Sequence, residues 1–255
     1  MTWYTALAVI GVGFVAGFIN TLAGSGSLLT LPMLMFLGLP ANVANGTNRI
    51  GVLLQSVVGV SVFKQKKVFE IKEGYVLTIP AIIGALVGAQ IAINLDEQLM
   101  RRAIGLLLFI MFFLILYKPD RWIKGKAGDV KPRASILQII IFFFIGVYGG
   151  FIQAGVGFFL LAGLVLGAGY DVVKANAVKL FIVLAFTLFA LVIFILHDQV
   201  DFKAGLILAV GNMAGAFVAS KFAVSWGPRF VRYILLAVIL ISGLELSGLL
   251  DLITG

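Results

Sequence analysis

Ten apolar stretches, most of them about the 20 residues a helix needs to cross a hydrocarbon core, follow one another with only short polar or Gly/Pro-rich breaks between them. They run Trp3 to Leu22, Ser27 to Leu37, Asn45 to Phe63, Gly74 to Asn94 and Leu99 to Tyr117, then Ala134 to Gln153, Phe158 to Ala168, Val173 to Leu196, Lys203 to Val224 and Phe230 to Leu250. No soluble globule can bury that much. With 62% hydrophobic and 12% charged residues in 255, the chain also lacks the polar side chains to cover a water-facing surface. The expected class is all-α: a polytopic helical membrane protein. The segment from Trp3 to Leu22 lacks a positively charged leader and is read as a retained span.

The composition excludes several chemistries. Cysteine is absent, which removes thiolate metal sites and cysteine nucleophiles, and the one histidine, His197, has no companions for a metal cluster or a catalytic triad. Neither an enzyme nor a bound cofactor or metal is expected. The net charge of +8 lies in short loops between apolar runs, where Lys and Arg mark the cytoplasmic side, so nucleic acid is not an expected partner.

Sliding the sequence on itself by 131 residues pairs Ala23-Gly24-x-Gly26 with Ala154-Gly155-x-Gly157 and Ala44-Asn45 with Ala175-Asn176. The same shift pairs Lys72 with Lys203, Gly84-Ala85 with Gly215-Ala216 and Arg101 with Arg232. Residues 1–117 therefore form a first repeat, 118–133 a cytoplasmic linker and 134–255 a second repeat. The loop Lys64 to Lys72 is strongly basic while its counterpart, His197 to Phe202, carries neither Lys nor Arg, so the sign of the bias flips between the halves. Five segments per repeat then place the basic loops, the linker among them, on one side and both termini outside. The repeats are expected to be inverted, an arrangement on which many alternating-access secondary transporters are built.

Two segments, Ser27 to Leu37 and Phe158 to Ala168, are too short to cross the core, and each follows a glycine-rich break. Irregular backbone at membrane depth survives only inside protein or beside water, and a helix start there offers unpaired amides and a positive dipole end to an anion. That reasoning makes Gly24, Ser25, Gly26, Ser27, Gly155 and Gly157 candidate substrate-binding residues. Asn20 and Gln153, just before the breaks, join them. Close helix packing is the competing explanation for glycines, and it suffices for Gly11, Gly13 and Gly17.

The third segment of each repeat opens on a polar cluster: Asn45, Thr47, Asn48 and Arg49 in the first, Asn176 and Lys179 in the second. A cation at such depth is costly unless it meets an anion or water, so Arg49 and Lys179 are the expected charge for an anionic substrate; snorkelling to the interface is the alternative. Gln55, Gln90 and Asn212 are read as hydrogen-bonding between helices. Intramembrane carboxylates are sparse, Glu245 being the main exception, so the coupling ion, proton or sodium, is not legible.

The sequences GFINTLAGSGSLLTLPMLMFLGLPANVANGTNRIGVLLQS (17–56) and GGFIQAGVGFFLLAGLVLGAGYDVVKANAVK (149–179) carry a resemblance to the TauE/SafE family of sulfite exporters and toluene-sulfonate uptake permeases. Gly24 and Gly26, Pro32, and Ala44 to Asn48 match that family's pattern, although Ser25 and Ser27 stand here within what is typically a denser glycine cluster. The resemblance implies transport of sulfite, sulfonates, sulfoacetate or a related anion across the plasma membrane, in either direction. The alternatives are an anion channel and a membrane scaffold. Expected partners are the small anion and the lipid bilayer; assembly as a homo-oligomer is left open.

Overall fold

A computed structural model describes residues 1–68, 71–116 and 135–222, and every regular element among them is helical. In chain order these are α1 (Trp3–Ala23), α2 (Ser27–Phe36), α3 (Ala41–Gln65), α4 (Ile71–Ile93), α5 (Glu97–Leu116), α6 (Ile136–Phe151), α7 (Val156–Ala162), α8 (Val172–Leu196) and α9 (Phe202–Phe222). A π-helical turn, Gly163–Gly167, prolongs α7. The linker, Arg232, the segment Phe230 to Leu250 and Glu245 lie outside the described residues.

Helix starts follow local chemistry. Ser135 and Gln138 form a reciprocal capping box at α6, and the Asp171 carboxylate accepts the amides of Val173 and Lys174 at α8. Four helices, Trp3–Ala23, Gly74–Ile93, Val172–Leu196 and Phe202–Lys221, are long and apolar enough to cross a membrane. Their outward faces carry exposed Leu7, Ile79, Ile83, Leu188, Val192 and Leu206, which suits lipid and would be unfavourable in water. This is a helical membrane protein. In α3 the polar residues point inward instead: Asn45, Thr47, Asn48, Arg49, Gln55 and Ser56 are all buried.

The short helices double back. Leu34 of α2 shares a buried cluster with Val9 of α1, so α2 returns along the helix it follows. In the second half Gly163 faces the Phe142 ring and the Gly167 carbonyl accepts from the Gln138 side chain at 2.7 Å, so α7 and its π turn return along α6. Each half thus contains a re-entrant hairpin whose tip is the glycine-rich break.

Two glycine seams set the remaining geometry. Gly13 and Gly17 of α1 lie against Leu208 and Asn212 of α9, and Gly84 and Gly88 of α4 lie against Phe143 and Val147 of α6. Backbones come this close only where no Cβ intervenes. In both seams residue numbers rise together, so α1 parallels α9 and α4 parallels α6. Helix α3 also parallels α9, with Gly51 beside Leu208 and Gly59 beside Ser220, but opposes α8, with Gly46 beside Phe194 and Gly59 beside Leu180. Helices α4 and α8 end at one level, where Gln199 Nε2 donates to the Ile93 carbonyl at 3.1 Å. The first half therefore runs α1 and α3 one way and α4 the other, and the second half reverses all three: the repeats are inverted.

Register differs from a single shift of 131. Gly146 and Gly150 take the places of Gly13 and Gly17, a separation of 133, while Gly211 and Gly215 take those of Gly84 and Gly88, a separation of 127. The structural counterpart of Gly84 is thus Gly211 and not Gly215. The reason is periodicity: four residues are about one helical turn, so a slip of four keeps small residues in the seam and leaves an apolar alignment looking sound.

Candidate functional site

The two hairpin tips meet inside the protein. Gly24 and Gly157 touch backbone to backbone, and the Gly157 amide donates to the Gly24 carbonyl at 3.1 Å. Gly24 holds φ +78°, a left-handed turn that ends α1 and that a Cβ would strain. Gly155 occupies a similar turn at φ +74°.

Each tip is capped by a cation from the other half. Lys179 of α8 is 1% exposed, and its ammonium donates to the carbonyls of Asn20 and Thr21 at the end of α1, at 3.0 and 2.9 Å, and to Asn176 Oδ1 at 2.7 Å. Arg49 of α3 is 0% exposed, and its guanidinium donates to the Gly149 and Gly150 carbonyls at the end of α6, at 3.1 and 2.5 Å, while stacking over the Phe194 ring at 4.4 Å. Neither cation snorkels. Carbonyls at a helix end carry partial negative charge, worth up to about 2 kcal/mol to a partly buried cation. They do not cancel a full unit, and no carboxylate pairs with either group among the described residues. Two basic groups therefore sit within the apolar interior without a carboxylate partner among the described residues, and an anion is the counter-charge that would favour their protonated forms.

Asn20, Gly24, Ser27, Val52, Gln55, Gln153, Val156, Gly157, Lys179, Leu180 and Val183 line a cavity at the tips whose free volume, ≈ 10 Å³, is about that of one water. Six of the residues expected from sequence come together in this wall: Asn20, Gly24, Ser27, Gln153, Gly157 and Lys179. The other expected residues are not part of this wall. Asn45 donates to the Phe151 carbonyl at 2.7 Å, Asn48 accepts from the Thr30 hydroxyl, and Asn176 orients Lys179. The Thr47 hydroxyl accepts the Asp201 amide at 2.8 Å and so fastens the α8–α9 turn to α3. Ser25 is buried with its hydroxyl unpaired, Gly26 packs against the Ala16 carbonyl, and Gly155 lies against Met111.

Two expectations are corrected. The start of α7 was to offer free amides, yet Val156, Gly157 and Phe158 donate to the carbonyls of Gln153, Gly24 and Gly155. Away from water such groups pair with whatever carbonyl is near, and the opposite tip supplies one. Gln55 is corrected too: it is fully buried in the cavity wall, and neither amide atom has a hydrogen-bond partner among the described residues. Its only sequence signal is an amide within an apolar run. Gln153, a non-glycine residue at φ +68°, holds a strained backbone at the tip while its Nε2 donates to Thr187 Oγ1 at 2.5 Å.

A family model described as "Sulfite exporter TauE/SafE" matches residues 9–246. Among similar curated proteins, "Probable membrane transporter protein ORF9" of Sinorhizobium sp is 28% identical over 88% of this chain and 85% of its own length. A "Probable membrane transporter protein" of Haemophilus influenzae is 27% identical over 87% and 86%, and the similarly described YfcA of Escherichia coli is 27% identical over 87% and 81%.

Proposed function

Because the chain belongs to the sulfite exporter TauE/SafE family, we propose that it is a secondary transporter that moves a small sulfur-containing or organic anion across the cell membrane by alternating access. The anion is of the sulfite, sulfonate or sulfoacetate type. The observation that carries this reading is the contact of Gly24 with Gly157, where two re-entrant tips of opposite direction meet beside the Lys179 ammonium. Tips joined by backbone contact form a barrier between the two sides. A shift of one hairpin relative to the other opens the cavity to one face, and the related shift of its partner opens it to the other, with contacts exchanged between the repeats. A cavity of ≈ 10 Å³ favours such a carrier over a channel, which needs a continuous wet pore.

Purified protein in proteoliposomes is expected to catalyse counterflow of sulfite or of one member of a sulfonate panel. Absence of saturable flux for every small anion would overturn the reading.

The chain is further proposed to cross the membrane repeatedly, with both termini outside. Lys64, Lys66 and Lys67 lie at the α3 end beside Lys221 of α9, where the Lys66 ammonium donates to the Ser220 and Lys221 carbonyls; this basic end is assigned to the cytoplasm. Asp198 is exposed at the opposite end, and the natural sequence has no cysteine to interfere. Asp198→Cys is expected to react with an impermeant thiol reagent on intact cells, and Gln65→Cys only after permeabilisation. The reverse pattern would overturn the orientation. Gln199 is the poorer reporter, since its side chain is engaged with Ile93.

A further inference from the structure

Lys179 has three N–H groups, and all three are used, on Asn20, Thr21 and Asn176. The ammonium therefore offers an anion in the cavity its charge but no free hydrogen. Hydrogen bonds must come from elsewhere in the wall, and the wall has an unused supply. Gln55 is 0% exposed with both its amide nitrogen and its amide oxygen unpaired, so whichever way the amide is turned it presents one donor and one acceptor. Gln153 adds a second unpaired oxygen, Oε1. Val52, Val156, Leu180 and Val183 form the apolar part of the wall, and Asn20 and Ser27 add an amide and a hydroxyl to its polar part.

Resting on the anion-carrier reading above, we propose that this cavity selects a monoanion that carries a hydroxyl donor of its own, with Gln55 as the specificity-determining residue. One lysine charge matches one negative charge. The Gln55 N–H donates to an oxygen of the anion, and the Gln55 carbonyl accepts from the hydroxyl of the same ligand. A ligand with acceptors alone leaves that buried carbonyl unpaired, and a site built to bond a hydroxyl rejects the analogue that lacks it. Opening of the tips supplies the room, since ≈ 10 Å³ holds no sulfonate.

The test uses two sulfonates of equal charge and nearly equal size, 2-hydroxyethanesulfonate and 1-propanesulfonate, titrated calorimetrically into the detergent-purified full chain. The hydroxylated anion is expected to bind at least about tenfold more tightly, the loss associated with one good hydrogen bond. In Gln55→Met, which keeps the length of the side chain, the preference is expected to fall to about twofold or less. Equal affinities in the wild-type protein would overturn this inference and leave the carrier reading standing. An undiminished preference in Gln55→Met, shown to be folded by an unchanged Tm, would overturn the role of Gln55. If neither sulfonate nor sulfite binds, the anion-carrier reading falls and this inference falls with it.

Discussion

Lys179→Met is expected to lower anion counterflow in proteoliposomes by about a hundredfold or more while leaving a folded protein. Among the described residues, Lys179 is the one titratable side chain in the wall of the cavity at the hairpin tips. Truncating one partner of a buried, desolvated charge pair typically costs about 2–5 kcal/mol, and a hundredfold corresponds to about 2.8 kcal/mol. Stability is expected to fall as well, because the Thr21 carbonyl and Asn176 Oδ1 lose their ammonium donor at about 1–3 kcal/mol each, while the Asn20 carbonyl keeps the Gly24 amide. Arg49→Met is expected to share that stability cost but to differ in flux. Arg49 stands outside the cavity wall and holds the end of α6, so its loss orphans the Gly149 and Gly150 carbonyls, at about 1–3 kcal/mol each, and shows mainly as a lower Tm. Flux in Lys179→Met above half the wild-type rate would remove Lys179 from the site.

The span pattern was legible because a helix that faces lipid has few alternatives to an apolar sequence about 20 residues long. Ser27 to Leu37, expected from sequence, agrees with α2, Ser27–Phe36, to one residue, because the glycine break before it and Gly38 after it punctuate the chain. Inversion was legible from the basic loop at Lys64 and a counterpart, His197 to Phe202, that carries neither Lys nor Arg. What a linear reading cannot supply is which carbonyl a long side chain reaches. Arg49 and Lys179 were singled out as cations too deep to be free, yet their grip on the end of the opposite half's first helix spans separations of 100 to 159 residues. Gln55 was missed for a related reason: an amide in an apolar helix reads as an interhelical bond, and only coordinates reveal that the expected partner is absent from its surroundings. The free amides assigned to the start of α7 failed because the tip of the other half, distant in sequence, brings the Gly24 carbonyl to Gly157.

Gly157→Ala is expected to have the second-largest effect, and it probes the barrier directly. Gly157 has no positive φ, so alanine brings no backbone strain of its own; its Cβ would instead overlap the Gly24 backbone, which cannot rotate aside as a side chain can. Overpacking of this kind costs about 1–3 kcal/mol when the structure must shift. For a chain of this size that corresponds to a fall in Tm of roughly 3–10 °C. Transport is expected to drop by about tenfold or more, because the overlap penalises the closed arrangement through which a carrier passes in each half-cycle. Gly24→Ala adds left-handed strain to the same overlap and is expected to be worse. Gly11→Ala and Gly105→Ala provide the controls, since a Cβ at either position meets nothing within 4 Å, and both should match the wild type in flux and Tm. The steric barrier implies one more result, which a packing role alone would not give. Propping the tips apart increases the time the cavity stands open, so a cysteine placed at Ser27, 3% exposed in the wild type, should react faster with a small thiol reagent in Gly157→Ala than in its absence. Unchanged flux and unchanged reactivity in Gly157→Ala would mean that the meeting of the tips is incidental to transport.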